Sequence, residues 1–228
     1  MLYTEQNVRD NIRNRDGKRV FFLGKADQLT SGARDFLRRE RIEILSGETA
    51  KIEVYRLPDG STLTEKPEHF THLYGDVLVR KTHPRIAFRG VVDLLEAELM
   101  LCQLNVPEFR KELGEILSLA RMLIRCDVMN ELVPEEKLCG LTEAQIRRQS
   151  HRPQEFFGQP HFMPEYTDGV EILYLNRCRC LARKAELAAC HAFIDPEGVP
   201  QRPDILQAMN RMSSMLYILM IRIKAKKN

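Results

Sequence analysis

From Arg202 to Lys224 the apolar residues Ile205, Met209, Met212, Leu216, Leu219 and Ile223 recur at steps of three and four. That spacing predicts one apolar stripe along a helix. Pro203 suits the first helical position, where a missing N–H costs nothing, and Asp204 places negative charge at the positive end of the helix dipole. Asn210, Ser213, Ser214 and Tyr217 share a second face in a segment otherwise apolar enough to be buried. A hydrogen-bonding stripe on such a helix asks for a partner.

The same reading extends backwards. "THPRIAFRGVVDLLEAELMLCQL" predicts a helix with Thr82 as candidate cap and Pro84 in its first turn, and Pro107 ends it. A second helix is expected over Glu108–Asn130. Thr142 and Gln145 form a capping box for a short one, and a long one covers Val170–Phe193. "RPQEFFGQPHFMPEYTDG" and "IDPEGVPQ", rich in Pro and Gly, predict a loop and a turn. "KAKKN" reads as a solvated tail. Four long helices on short connections predict an antiparallel bundle of four to five helices over 68–228.

Residues 1–67 have a different texture. "RVFFLG" and "KIEVYRL" alternate like strands, the second closing at the turn "PDGS". Between them "TSGARDFLRRERIEIL" predicts a short helix capped near Thr30 or Ser31 and a third strand. The fold class is therefore mainly α, a helical bundle with a small N-terminal α+β module.

Composition narrows the function classes. Among 228 residues the formal net charge is +3 and charged residues make up 29%. No excess of basic charge points to nucleic acid, and the near balance counts against a helical DNA-binding regulator. The longest apolar run, Met215–Ile221, falls short of the ~20 residues that span a bilayer. The polar opening, Met1–Arg15, has no secretory leader pattern. The six cysteines form no C-x-x-C pair and the histidines are scattered, so reduced thiols, a cytoplasmic location and no zinc or iron site are expected.

Charges then single out faces of the bundle. Arg85, Arg89, Asp93 and Glu96 align along the first long helix, and Arg179, Arg183 and Glu186 along the third. With Lys81, these cations suit a polyanion such as a nucleoside triphosphate. No glycine loop of either standard phosphate-binding pattern is present. One such face would ordinarily be solvated decoration. Asn and paired Ser residues lower helix propensity, however, and make sense where they hydrogen-bond something.

"VRKTHPRIAFRGVVDLL", "FMPEYTDG", "LNRCRCLARKAEL" and "RPDILQAMNRMSS" together resemble the motifs of ATP:cobalamin adenosyltransferases. The similarity is greatest to the ethanolamine-utilisation branch, which is related to the propanediol-utilisation type, and it covers roughly 71–223. The resemblance implies transfer of the 5′-deoxyadenosyl group of ATP to the cobalt of reduced cobalamin, with release of triphosphate and Mg²⁺ assisting. It implies a homo-oligomer, trimer or dimer, in which Asp93 and Arg179 form an acid–base pair across subunits. Phe162 would approach the lower face of the corrin. Arg183 and Glu186 would continue the nucleotide-binding helix, and Asn210, Arg211 and Ser213 match an N-R-x-S motif. Thr71, Lys81, Arg85 and Arg89 would join the ATP contacts, the first three at the phosphates.

It further implies handover of product to ethanolamine ammonia-lyase and association with a bacterial microcompartment. Two departures stand out. "LPDGSTLTEKPEHF" lacks the cysteine cluster common in that branch, and the T-x-x-G-D-x-G loop of propanediol-type relatives is missing. The competing reading is a non-catalytic scaffold of a microcompartment, which would need none of Asp93, Arg179, Arg183 or Asn210.

Overall fold

A computed structural model describes residues 1–15, 18–24, 26–46 and 54–227, which form two compact units. The expected strand over Lys51–Leu57 lies partly outside the described residues. The smaller unit comprises Met1–Tyr55 and Thr62–Glu65, the larger one Arg56–Ser61 and Lys66–Asn228.

In the smaller unit β1 (Leu2–Tyr3) pairs in parallel with β4 (Gln28–Leu29). β3 (Lys18–Leu23) lies between antiparallel β2 (Arg13–Arg15) and parallel β5 (Glu43–Ser46), with Val20 opposite Glu43. α1 (Glu5–Asp10) starts from a Thr4/Asn7 capping box, and α2 (Ser31–Arg39) from Thr30, whose Oγ1 accepts the Ala33 N–H. Their apolar faces meet the sheet around Val8, Phe21, Ala33, Phe36 and Leu37. Two short strands, β6 (Tyr55–Arg56) and β7 (Thr62–Leu63), flank the "PDGS" turn.

From Lys66 onward the larger unit continues with a hairpin, β8 (Phe70–Tyr74) against β9 (Val77–Arg80), where the sequence pattern predicts no element. Then come α3 (Pro84–Asn105), a 3-10 turn (Pro107–Phe109), α4 (Arg110–Met129), α5 (Glu143–His151), α6 (Pro153–Phe157), α7 (Val170–Phe193) and α8 (Pro203–Lys227). α7 packs on both α3 and α8, while α4 covers α3 and α5 covers α8. Phe88, Leu95, Leu113, Leu123, Ile172, Leu175, Met212 and Leu216 lie fully buried between them. No helix among the described residues is long and apolar enough to cross a membrane.

Three local expectations change. His83, not Thr82, caps α3: its Nδ1 accepts the Arg85 N–H at 3.2 Å. The residue before a proline is pushed out of helical geometry, so the cap must adjoin Pro84. The expected loop after His151 contains α6, begun at Pro153 and closed by Gly158 at φ +66°, and a 3-10 turn at Tyr166–Asp168. Its Pro and Gly punctuate a short helix rather than abolish one. The basic tail is not free either. α8 continues to Lys227, with Lys224 Nζ 2.5 Å from Asp168 Oδ1, Lys227 Nζ donating to the Asp168 carbonyl at 2.8 Å, and Lys226 paired with Glu108. The Glu165 N–H, and next Lys224, hold the Asp168 carboxyl below the usual carboxylate range.

A buried ion network locks the start of the bundle. Asp127 of α4, fully buried, accepts from Arg85 Nε at 2.8 Å and from Arg89 Nε at 2.7 Å. Arg85 also donates to the Asp127 carbonyl, and Arg89 to the Leu73 carbonyl of β8. One carboxylate thereby ties α3 and α4 together, and Arg89 ties both to the hairpin.

Candidate functional site

The α7–α8 contact carries the chemistry. Arg179, Arg183 and Glu186 succeed one another along one face of α7, while Asn210, Ser213, Ser214 and Tyr217 do so along α8. Ile172, Leu175 and Phe193 of α7 and Ile205, Met209, Met212 and Leu216 of α8 turn into the core, and the polar faces are left to line a cleft. These side chains, joined by Ser150 and His151 at the end of α5 and by His161, enclose a cavity of about 470 Å³. That size falls within the range of small-molecule sites. A second cavity of about 310 Å³, lined by Phe162, Met163 and Pro164, shares His161, Arg179 and Tyr217 with the first.

Hydrogen bonds order the first cavity. Asn210 Nδ2 donates to Glu186 Oε1 at 2.7 Å, and Asn210 Oδ1 accepts from Arg211 Nη2 at 2.5 Å. Ser213 Oγ donates to the Asn210 carbonyl at 3.0 Å. Arg179 Nε and Nη2 both reach Asn176 Oδ1, at 3.1 and 2.9 Å. Arg183 is exposed and has no ion-pair partner among the described residues. Two arginines against the single carboxylate of Glu186 leave the cleft positive, which suits a polyphosphate. Burial, and next the neighbouring Arg147, lower the pKa of the Arg211 guanidinium, whose Nη1 is buried without a partner.

Of the residues singled out from sequence, the structure therefore brings together Arg179, Arg183, Glu186, Asn210 and Ser213, with Phe162 at the adjoining cavity. The rest lie elsewhere. Arg85 and Arg89 have committed donors to buried Asp127. Thr71 sits in β8 opposite Val79, and Lys81 follows β9 with its Nζ 3.8 Å from Glu68. Asp93 is exposed on α3 with no ion pair among the described residues, and Arg211 lies behind Asn210. Sequence reasoning missed Ser150, His151 and His161. Only His161 carried a signal, its place beside Phe162; the other two come from a helix that periodicity gives no reason to aim at the cleft.

The six cysteines are unpaired. Cys102 and then burial push the Cys178 thiol strongly up, while burial and then Glu115 push Cys139 up to about 12. Protonated thiols are poor metal ligands, and among the described residues no three His, Cys, Asp or Glu side chains gather closely enough to hold a metal ion.

The model of the cobalamin adenosyltransferase family matches residues 62–223. The chain is 31% identical over 247 residues to the corrinoid adenosyltransferase EutT of Salmonella typhimurium, spanning 98% of this chain and 92% of that protein. It is 34% identical over 160 residues to the EutT of Escherichia coli, spanning 70% of this chain and 60% of that protein. Among solved structures it resembles a variant PduO-type ATP:corrinoid adenosyltransferase from Lactobacillus reuteri, complexed with cobalamin and ATP. The TM-score is 0.54 at 17% identity, covering 70% of this chain and 91% of that one. At that identity the likeness establishes the helical-bundle fold.

Proposed function

The chain belongs to the cobalamin adenosyltransferase family, as an EutT-type transferase related to the PduO type, and we propose that it transfers the 5′-deoxyadenosyl group of ATP to the cobalt of reduced cobalamin, releasing triphosphate. The observation that carries this reading is a cleft in which Arg179, Arg183, Glu186, Asn210 and Ser213 converge, continuous through Arg179 with a second cavity beside Phe162. The first holds the nucleotide and the second receives the corrin.

Reduced cobalt is itself the nucleophile, so the protein needs no base. Its task is to hold C5′ in line with the metal and to stabilise charge growing on the triphosphate. Arg179 and Arg183 meet that charge, while Asn210 and Ser213 hold the nucleotide in register. Mg²⁺ prefers phosphate oxygens with one or two carboxylates, and among the described residues Glu186 is the one carboxylate lining the cleft. Thr71 and Lys81 reach the phosphates only from a different part of the larger unit. Arg85 and Arg89 act by fixing α3 through Asp127.

Exposed Asp93 pairs with Arg179 of a second copy in a homo-oligomer. The product supplies ethanolamine ammonia-lyase, in the setting of a bacterial microcompartment. The test of the central reading is absorbance-monitored formation of adenosylcobalamin from ATP and chemically reduced cobalamin. No product under those conditions sinks it and revives the scaffold alternative.

Two expected results follow at this site. Phe162, half-buried with its ring 6.3 Å from that of Tyr217, excludes the lower axial ligand of cob(II)alamin and eases its reduction. Phe162→Ala therefore slows the reaction by about 10²-fold when cob(II)alamin is supplied with a weak reductant. When cob(I)alamin is supplied directly the loss is much smaller, because transfer depends on ATP and cobalt placement. Equal losses in both assays, with ATP binding also weakened, would make Phe162 a packing residue. Activity is also independent of bound zinc or iron, given the dispersed cysteines and the missing cysteine cluster. Loss of activity on chelation, restored by zinc or iron rather than Mg²⁺, overturns that expectation.

A further inference from the structure

The loop before α7 is held by a chain of hydrogen bonds that the site chemistry does not use. His161 Nε2 lies 3.3 Å from the His151 carbonyl at the end of α5, and His161 Nδ1 lies 3.0 Å from Tyr217 Oη on α8. A carbonyl can only accept, so Nε2 carries a proton, and in the tautomer protonated only there Nδ1 accepts from the tyrosine hydroxyl. The Tyr217 oxygen in turn accepts the Phe162 N–H at 3.4 Å.

Stacking reinforces the bonds. The His161 ring lies parallel to that of Tyr217, at 5.8 Å and 7°, and the Phe162 ring stacks on the same tyrosine at 6.3 Å and 24°. Lys224 Nζ, fixed by Asp168, stands 5.7 Å from the Phe162 ring. Tyr217 therefore holds Phe162 through its backbone and its ring at once, while His161 ties the same two-residue segment to a different helix. Both residues sit at the wall shared by the two cavities.

We propose that His161 and Tyr217 are positioning residues: their hydrogen bond and stack clamp the loop between α5 and α8 and set where the Phe162 ring stands over the second cavity. This rests on the proposed role of Phe162. An aromatic side chain on a Pro- and Gly-rich loop would otherwise sample several rotamers, and only one of them can exclude an axial ligand from a metal. The clamp restricts that freedom before the substrate arrives.

The test uses the full chain with Tyr217→Phe, which keeps the ring and removes the hydroxyl, His161→Ala, and the double variant. Hydrogen exchange at the Phe162 amide reads the clamp without any substrate, and slow exchange in the α8 core confirms that each variant is folded. Exchange at Phe162 is expected to accelerate about tenfold in each single variant. The ratio of the cob(II)alamin-fed rate to the cob(I)alamin-fed rate is expected to fall about tenfold. The double variant should be no worse than the more affected single one, because the two residues act as one unit. Unaltered exchange at Phe162, or equal falls in both rates with a raised KM for ATP, overturns the clamp. If the wild-type chain makes no adenosylcobalamin, the proposed function fails instead, and the exchange result alone decides whether the clamp exists.

Discussion

Arg179→Ala is expected to lower adenosyl transfer by about 10²–10³-fold, the usual cost of removing one preorganised charged donor from a reacting centre. Among the described residues Arg179 is the one arginine or lysine lining both cavities. Its guanidinium is aimed by Asn176, whose Oδ1 takes two of its N–H groups. A neutral acceptor orients the arginine without cancelling its charge, which stays available to a phosphate or to a partner's carboxylate. Arg179→Lys should recover little, since an ammonium cannot reproduce the planar two-donor contact.

Asp93→Asn separates the roles of Arg179. If Asp93 pairs with Arg179 of a second copy, its loss weakens assembly and activity together, and light scattering shows dissociation at lower dilution than for the wild type. The pair is worth more if the interface buries it, where stranding one charge costs about 3–5 kcal/mol. Near-normal turnover in both Arg179→Ala and Asp93→Asn would mean that neither residue serves the reaction.

The largest expected effect on stability is at Asp127. Its carboxylate is fully buried, with Arg85 at 2.7 Å and Arg89 at 2.6 Å, their side chains only 19% and 14% exposed. Asp127→Ala strands two guanidinium groups that have little access to water. A cost of about 3–5 kcal/mol is expected, lowering the thermal midpoint by on the order of 10 °C in a chain of this size. Arg125→Ala supplies the contrast. Its pair with Glu131, at 3.3 Å with side chains 70% and 47% exposed, should be worth less than about 1 kcal/mol. A triple variant with Asp127, Arg85 and Arg89 all made apolar should recover part of the loss, because no buried charge is left alone. Denaturant unfolding of Asp127→Ala within about 1 kcal/mol of wild type would show that water reaches the network.

The same arginines show how far spacing can mislead. Arg85, Arg89, Asp93 and Glu96 share a face on the one-dimensional pattern, and a shared face reads as a shared task. In three dimensions that face divides. Arg85 and Arg89 turn to a carboxylate on α4 that lies about forty residues further along the chain, Glu96 pairs with Arg121, and Asp93 points to solvent. Nothing local marks Asp127 as their partner, because an aspartate near a helix end usually sits in water. The hairpin β8–β9 was equally hidden. Its strands are short, and their burial depends on packing within the larger unit.

Periodicity by itself determined the long helices, since a stripe of Ile, Met and Leu at steps of three and four has no other way to leave water. It also determined that Asn210, Ser213, Ser214 and Tyr217 needed a partner, and the order of the motifs was enough to resemble a family. Which charged face became the cleft was decided only by tertiary structure. α7 and α8 pack through their apolar stripes, and that contact leaves the polar faces of these two helices opposed, whereas α3 turns Arg85, Arg89 and Glu96 onto α4. The wall completed by Ser150, His151 and His161 was likewise a tertiary result. It depends on where the end of α5 and the loop after α6 come to rest against α8, and those positions follow from packing between segments far apart in the chain.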